Sequence, residues 1–353
     1  MPDPSIEYRN KFLKRQLQYN RKFREIFNKV ADQFALLAND PNARFTKSFK
    51  FNGAINKKID IIIETFHNET LDLTELEIEK SWGLSNEKND LIIKDYISTI
   101  GKIKAAQKAS FFLPNIPALK AFISGKHGTE TLSESIWTVA KQLQGELKIH
   151  LGIGILNGDS ASVISRRIRM YLKNPESYFR RVRDKNGKLV ASKAMIANKP
   201  GQGVYNSAFK NAMRVSRTNT NQAYLYADHL RWQKLPMVIG VKISLSAQHP
   251  EYSYPEICEL CEGDYPKFFV WVGWHVQCLC HAVPILMPRD EFKAYLRGNE
   301  PLKAKQLDEM PDNFIRFTKE NYDRLSGYKN PPYWIQDNEK IIKNVLKTKN
   351  MLT

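Results

Sequence analysis

The chain has 353 residues, 42% of them hydrophobic, 26% charged and 11% aromatic, which is enough apolar chain for roughly two domains and too much for pervasive disorder. Lys and Arg outnumber Asp and Glu by 54 to 37, a formal charge of +17 with pI about 9.5, so the expected partner is a polyanion. Four cysteines are too few for a disulfide-framed secreted module. The opening MPDPSIEYRN carries no apolar h-region, and the longest apolar run, around FFVWVGWHV, is about half the ~20 residues that a spanning helix needs. The expectation is a soluble, intracellular protein with no membrane partner.

From Tyr8 to Leu37 the apolar residues follow a helical period: Phe12, Tyr19 and Ile26 recur every seven residues, as do Phe23, Val30 and Leu37, with Phe27 and Phe34 widening the stripe. The opposite face carries Arg9, Lys11, Lys14, Arg15, Arg21, Lys22 and Arg24, read as the solvated back of a bundle helix, with a phosphate-contacting arm as the alternative. Asn39-Asp40-Pro41 ends it. A strand-like FTKSFKFNG follows, then helical segments at 55–66, 71–80 and 88–103. Pro114 and Pro117 break the pattern, and the polar SGKHGTETLS reads as a linker.

Helix resumes at Ser135 and stops at Asn157-Gly158, with Asp159 or Ser160 as N-cap for ASVISRRIRMYL. The glycines of GIGILNG terminate a helix and do not form a dinucleotide-binding turn, because the third falls one position late. Lys185-Asn186-Gly187-Lys188 signals a hairpin. A helix is expected over 207–232, strands at MVIGVKISLS and CHAVPILMP, and helices near 289–296 and 313–325. The fold class expected is α+β, mainly helical. It comprises a helical N-terminal region (1–130), a mixed helical domain with a small Cys-rich β unit (131–288) and a polar, partly helical tail (289–353).

The strongest chemical signal is C-x2-C-x13-H-x2-C-x-C: Cys258, Cys261, His275, Cys278 and Cys280, which contains every cysteine of the chain. Two close pairs separated by a loop match the spacing of a closed tetrahedral zinc site. Cys278 and Cys280 lie where a strand is plausible and would share a face. That parity favours a site of Cys258, Cys261, Cys278 and Cys280, with His275 as an alternative ligand if a turn intervenes, or as a supporting group behind the ligands. Disulfides and plain buried thiols are the alternatives, and a thiolate-saturated site leaves no open position for a catalytic water.

A basic run of Arg166, Arg167, Arg169, Lys173, Arg180, Arg181, Arg183, Lys185 and Lys188 is interleaved with Tyr171, Tyr178 and Phe179. Arginines and aromatics together suit phosphate neutralisation and stacking without base readout, against the plainer reading of a solvated face. In RVSRTNTNQAYLYADHLRW, helical spacing aligns Arg217, Asn221 and Tyr224, then Asp228 and Arg231. Arg217, Asp228 and His229 could be catalytic, but a buried polar network or surface pairing is the plainer reading.

The ordered set of RVSRTNTNQAYLYADHLRWQ, CELCEGDYP and GWHVQCLCHAVPIL, preceded by SIWTVAKQLQGELKIHLGIGIL, resembles the phage head morphogenesis family of Mu F-like minor head proteins over about residues 131–286. The resemblance places the family's cysteine/histidine motif on Cys258, Cys261, His275, Cys278 and Cys280, and its arginine-threonine motif on Arg217 and Thr218, with Asn221, Tyr224 and Asp228 along the same helix. It implies a minor capsid protein of a tailed phage or prophage. Such a protein joins the portal or procapsid interior in the host cytoplasm and resides in the virion; to this the basic excess adds an expected non-specific contact with DNA, and the cysteine spacing an expected structural zinc. Asn219 stands where members often carry Glu, and Val276 and Leu279 where they often carry Pro and Arg. The lost carboxylate argues against catalysis at this helix. The alternative expectation is a phage-encoded toxin or nuclease-like enzyme using Arg217, Asp228, His229, His249 or His275.

Overall fold

A computed structural model describes residues 4–43, 51–101, 103–173, 181–191, 205, 207–247, 249, 255–298, 306–328 and 330–347. Within them the chain is mainly helical with small antiparallel sheets, the expected class. The helices are α1 (Pro4–Leu36), α2 (Gly53–Ile97), α3 (Ala105–Ser110), α4 (Ile116–Ser124), α5 (Leu132–Leu156), α6 (Ala161–Lys173), α7 (Ala208–Lys234), α8 (Ile257–Leu260), α9 (Arg289–Leu296), α10 (Asp312–Ser326), α11 (Tyr333–Gln336) and α12 (Glu339–Lys347). The strands are β1 (Lys126–His127), β2 (Glu130–Thr131), β3 (Arg181–Arg183), β4 (Leu189–Ala191), β5 (Val238–Ser244), β6 (Gly263–Tyr265) and β7 (His281–Leu286). No described helix is long and apolar enough to cross a membrane. The strand expected at 45–53 falls largely outside the described residues.

The helical segments expected at 55–66, 71–80 and 88–103 merge into one uninterrupted helix, α2, which stops at Ile97, short of the expected end. Its polar residues do not break it because they bond back to their own helix: Thr74 Oγ1 donates to Thr70 O, Ser81 Oγ to Glu77 O, Asn86 Nδ2 to Trp82 O and Asn89 Nδ2 to Ser85 O. Pro117 opens α4, where its missing N–H costs no helical bond.

The chain forms two compact units, each from separated segments: residues 1–15, 76–129 and 217–353 make the first, and 16–75 with 130–216 the second. This differs from the linear division at 130 and 288, because the unit boundaries fall inside the long helices α1, α2 and α7.

In the second unit the aromatic stripe of α1 is buried as its period requires, with Phe23, Phe27 and Phe34 at most 1% exposed. Phe27 meets Phe66 and Phe209 edge-on at 4.9 and 5.0 Å, and burying such a side chain contributes about 1.5–3 kcal/mol. Helix α5 begins with a capping box between Thr131 and Glu134. It passes α6 so closely that a Cβ on Gly154 would lie 2.4 Å from Ile164 Cγ1, a steric reason for that glycine. Gly158 at φ +70° and a Ser160 cap on Val163 N make the expected turn into α6. The expected β3–β4 hairpin is present, with Asp184 Oδ1 accepting from Asn186 N and Lys188 N in its turn.

Glu146 lies buried on α5, accepting from Ala208 N at 2.8 Å and Gln142 Nε2 at 2.9 Å, and so caps α7. Burial pushes its carboxyl up to about 8. One turn on, His150 is pushed down to about 4 by burial and by the Arg167 charge.

The first unit is built on the sheet β6-β5-β7, antiparallel throughout, with a bulge between Val238 and Gly240. Its core is aromatic. Trp274 lies 6.1 Å from Trp334 and 5.9 Å from Tyr265, and Phe314 lies 5.6 Å from Trp334. Residues 289–353 are therefore no mere polar tail: Phe292, Phe314, Trp334 and Ile342 are each at most 1% exposed in this core. Their polar composition hides the apolar face of short amphipathic helices.

Glu146 and His150 give stability opposite dependences on pH. Glu146, raised from 4.5 to about 8, contributes stability that is full below 4.5 and is lost as pH rises through about 8. His150, lowered from 6.5 to about 4, contributes stability that is full above 6.5 and is lost as pH falls through about 4. Glu146→Gln removes the first dependence while keeping an acceptor for Ala208 N. Its thermal midpoint relative to the parent is expected to rise steadily from pH 5 to pH 8, and a pH-independent difference would contradict the assignment.

Candidate metal centre and basic surface

Residues 266–280 join β6 to β7 without helix or strand, yet Phe269, Trp271, Trp274, Cys278 and Cys280 along them are buried. A buried irregular backbone must find its hydrogen-bond partners elsewhere in the chain. Helix α7 supplies two: Thr218 Oγ1 accepts from Gln277 N at 3.2 Å, and Asn221 Nδ2 donates to Cys278 O at 3.3 Å. From α1, Arg9 Nη2 donates to Leu279 O at 2.7 Å and Cys280 O at 3.2 Å, while Nη1 donates to Asn221 Oδ1 at 2.9 Å. At the other end Asn338 accepts from Val270 N and donates to Val270 O, both at 2.8 Å. Gly273, at φ +109°, lets the loop close, since a Cβ there would lie 3.1 Å from Cys278 Cβ.

This framework gathers three sulfurs. Cys258, Cys278 and Cys280 are all buried, with their sulfurs within 4.8 Å of one another, and the three could hold a metal ion. Cys278 and Cys280 bring their sulfurs together from irregular backbone, since the strand expected at their positions begins only at His281. Cys258 Sγ lies 3.8 Å from Cys278 Sγ and 3.1 Å from His275 Nε2.

Two particulars differ from the four-cysteine set expected from spacing. Cys261 is buried and lies outside the trio. It ends α8 with a non-helical backbone, φ −116° and ψ 20°, and its carbonyl accepts from Tyr265 Oη at 2.8 Å. His275 does not follow strand parity. The chain turns between it and the cysteines, with Gln277 at φ +59° and Cys278 N donating to His275 O at 3.1 Å, and this returns the imidazole to Cys258.

The sulfurs polarise one another. Hydrogen bonds with Cys258 and then Cys280 hold the Cys278 thiol well below its usual range. Cys258 is pushed up, first by its bond to Cys278. At Cys280 the Cys258 bond pulls down, but the Cys278 bond and burial outweigh it and push the thiol up to about 12. Cys261, raised to about 12, owes its shift to burial alone.

The rest of the α7 motif is structural. Asp228 is fully buried and receives Lys88 Nζ at 2.5 Å and Ser85 Oγ and Asn89 Nδ2 at 2.6 Å each. Tyr224 is buried with its ring 4.7 Å from Lys88 Nζ and 4.9 Å from the Phe12 ring. Arg231 donates to Asp90, Asn86 and Phe111 O. Arg217 is exposed. The histidines suspected of catalysis sit in separate settings: His229 is buried and stacks at 6.2 Å on Tyr226, and His249 lies 3.9 and 3.8 Å from Glu256 and Glu259.

The basic run is split. Arg166 and Arg169 are exposed and line an open depression of about 420 Å³ on α6 with Ser162, Ser165 and Met170. Arg169 pairs with Asp32, and Arg167 with Asp159 at 2.6 Å. Arg183, Lys185 and Lys188 are exposed on the hairpin. Tyr171 is 2% exposed, so it packs in the core and offers no stacking face. The side chains of Lys173 and Arg181, and all of Arg180, Tyr178 and Phe179, lie outside the described residues.

Arg9 is the site residue that the basic-face reading assigned to solvent. It is 7% exposed. The signal was its place in the helical period: Arg9 precedes Phe12 by three positions and so falls on the buried stripe, with its guanidinium 5.1 Å from that ring. Arg9→Met is expected to cost about 3 kcal/mol in chemical denaturation, because three acceptors, two of them buried, lose a charged donor, with Arg9→Lys recovering part of it. A loss below about 0.5 kcal/mol would contradict this account.

Compared with family models, curated proteins and solved structures, the chain matches none of them.

Proposed function

We propose that this chain is a structural head-morphogenesis protein of a tailed phage or prophage, a minor capsid component that associates with the portal or procapsid interior and contacts DNA without sequence preference. The observation that supports it is the contact between the two motifs behind the resemblance. Thr218 and Asn221 of the arginine-threonine helix bond the main chain of Gln277 and Cys278 in the cysteine motif. Two motifs that occur in a fixed order are thereby parts of one packed unit, which gives them a structural reason to occur together. Asp228, further along the same helix, is held in the buried Lys88 pair, consistent with architecture in place of catalysis.

Zinc is the metal that the thiolate-rich donor set favours, held structurally. It would close a unit whose connecting loop has no secondary structure of its own. For DNA, the exposed Arg166, Arg169, Arg183, Lys185 and Lys188 supply the phosphate contacts.

Mass spectrometry of purified heads tests the placement: the chain is expected among the minor head proteins, and its absence from intact heads overturns the assignment. Retention on random-sequence duplex DNA tests the electrostatic part. Affinity is expected to fall at least tenfold between 50 and 200 mM salt, roughly the loss for a few phosphate contacts, with a shallower slope for Arg166→Gln/Lys185→Gln/Lys188→Gln. Binding indifferent to salt would remove DNA from the proposal.

A further inference from the structure

Between α2 and β1 the first unit leaves a run of apolar chain uncovered. Helix α3 buries none of its six residues, although a helix so short takes its stability in proteins from packing. After it, Leu113 and Ile116 are 50% and 45% exposed, and Pro114 and Pro117 beside them are exposed too. We infer that residues 104–121 are a docking surface for an anionic lipid bilayer. Leu113 and Ile116 enter the boundary between headgroups and acyl chains, and Lys104, Lys108 and Lys120 meet the lipid phosphates. The contact is peripheral, since no described helix is long and apolar enough to cross a membrane. It departs from the expectation of no membrane partner and does not rest on the head-protein reading.

The turn is built to enter an apolar medium. A carbonyl or amide that leaves water unpaired is costly, so segments that meet hydrocarbon satisfy their backbone internally. Arg231 Nη1 donates to Phe111 O at 2.5 Å, and Trp82 Nε1 donates to Pro114 O at 2.8 Å. Asn115 O accepts from Ala118 N at 3.0 Å and Leu119 N at 3.2 Å, and Asn115 Oδ1 accepts from Lys234 Nζ. Pro114 and Pro117 have no N–H to satisfy. Asn115 turns the chain at φ +52°, a conformation uncommon outside glycine, and Phe111, 1% exposed, anchors the turn in the core. Leu113 and Ile116 are therefore presented on a fixed backbone, which leaves little ordering cost for binding.

Charge is the independent observation that selects the partner. Residues 101–129 contain five lysines and no Asp, Glu or Arg. Lys104, Lys108, Lys120 and Lys126 are exposed, and among the described residues none of them pairs with a carboxylate. Lys29, Lys58 and Lys343, by contrast, pair with Glu69, Asp40 and Glu339. Aliphatic side chains flanked by unpaired lysines match a surface that is apolar beneath a layer of phosphates. Duplex DNA supplies phosphates but receives aliphatic side chains only by unstacking its bases, and the stretch has no arginine for the groove.

The test is flotation of the purified chain with vesicles of phosphatidylcholine, alone or mixed with phosphatidylglycerol at about 3:1. The chain is expected to bind the mixed vesicles at least tenfold more tightly than the neutral ones. Leu113→Ser/Ile116→Ser changes no charge and is expected to lower that binding at least tenfold. Lys104→Gln/Lys108→Gln/Lys120→Gln is expected to weaken it and to flatten its salt dependence. Arg166→Gln/Lys185→Gln/Lys188→Gln, which reports on DNA, is expected to stay within about threefold of the parent on vesicles, so the two surfaces fail separately. A polarity-sensitive fluorophore attached through Leu113→Cys reads insertion directly and is expected to shift to the blue on mixed vesicles only. Absent binding, binding that the serine pair leaves unchanged, or a label that stays in water would overturn the proposal. A serine pair that loses duplex DNA retention and keeps vesicle binding would also overturn it, assigning the surface to nucleic acid.

Discussion

The first unit depends on keeping the backbone of residues 266–280 satisfied while it is buried. The segment has no ladder or helix to absorb its own N–H and C=O groups, and an unmet buried amide or carbonyl costs on the order of 1–3 kcal/mol. Side chains distant in sequence meet that demand: Arg9 from α1, Thr218 and Asn221 from α7, Asn338 from the turn before α12. Each is polar and is matched to a main-chain atom. The aromatic core of Trp271, Trp274, Phe314 and Trp334 then closes around the loop. The position of the sulfurs follows from this arrangement, because the same bonds that hold the backbone of Gln277, Cys278 and Cys280 bring the sulfurs of Cys278 and Cys280 to Cys258.

Local features were readable from the residues. The aromatic period of α1, the Asn157-Gly158 stop, the Asn186-Gly187 hairpin and the strands either side of the cysteine motif all appear as expected. Each depends on neighbours within a few positions, where spacing and turn chemistry decide. The continuity of α2 was not readable, since Thr, Ser and Asn in a helix look like breaks until their bonds to the preceding turn are seen. Nor were the discontinuous units, because nothing local announces that residues 1–15 belong with 217–353.

At the site, the spacing picked out Cys258, Cys278 and Cys280, which converge, together with Cys261, which lies outside the trio. Cys278 and Cys280 bring their sulfurs together from a segment that is not the expected strand, and His275 escapes the expected parity because Gln277 adopts a positive φ and the chain turns before the cysteines. That conformation is uncommon for a residue other than glycine, so no pattern rule would have placed it there. The charge excess carries information of a different kind. Some of it serves the interior, as Arg9, Lys88 and Arg231 each bury a cation against named acceptors. The exposed cations on α6 and the hairpin are what remain for a polyanion.

The most direct measurement of the central claim, that a metal and a set of side-chain clamps together order this loop, is amide hydrogen exchange across 266–280 before and after chelation. The account predicts slow exchange at Val270 and Cys278 in the metal-loaded chain. Removing the ion should speed it at least tenfold, while α5 is unaffected. Protection in the loop that is unchanged when the metal is withdrawn would contradict it.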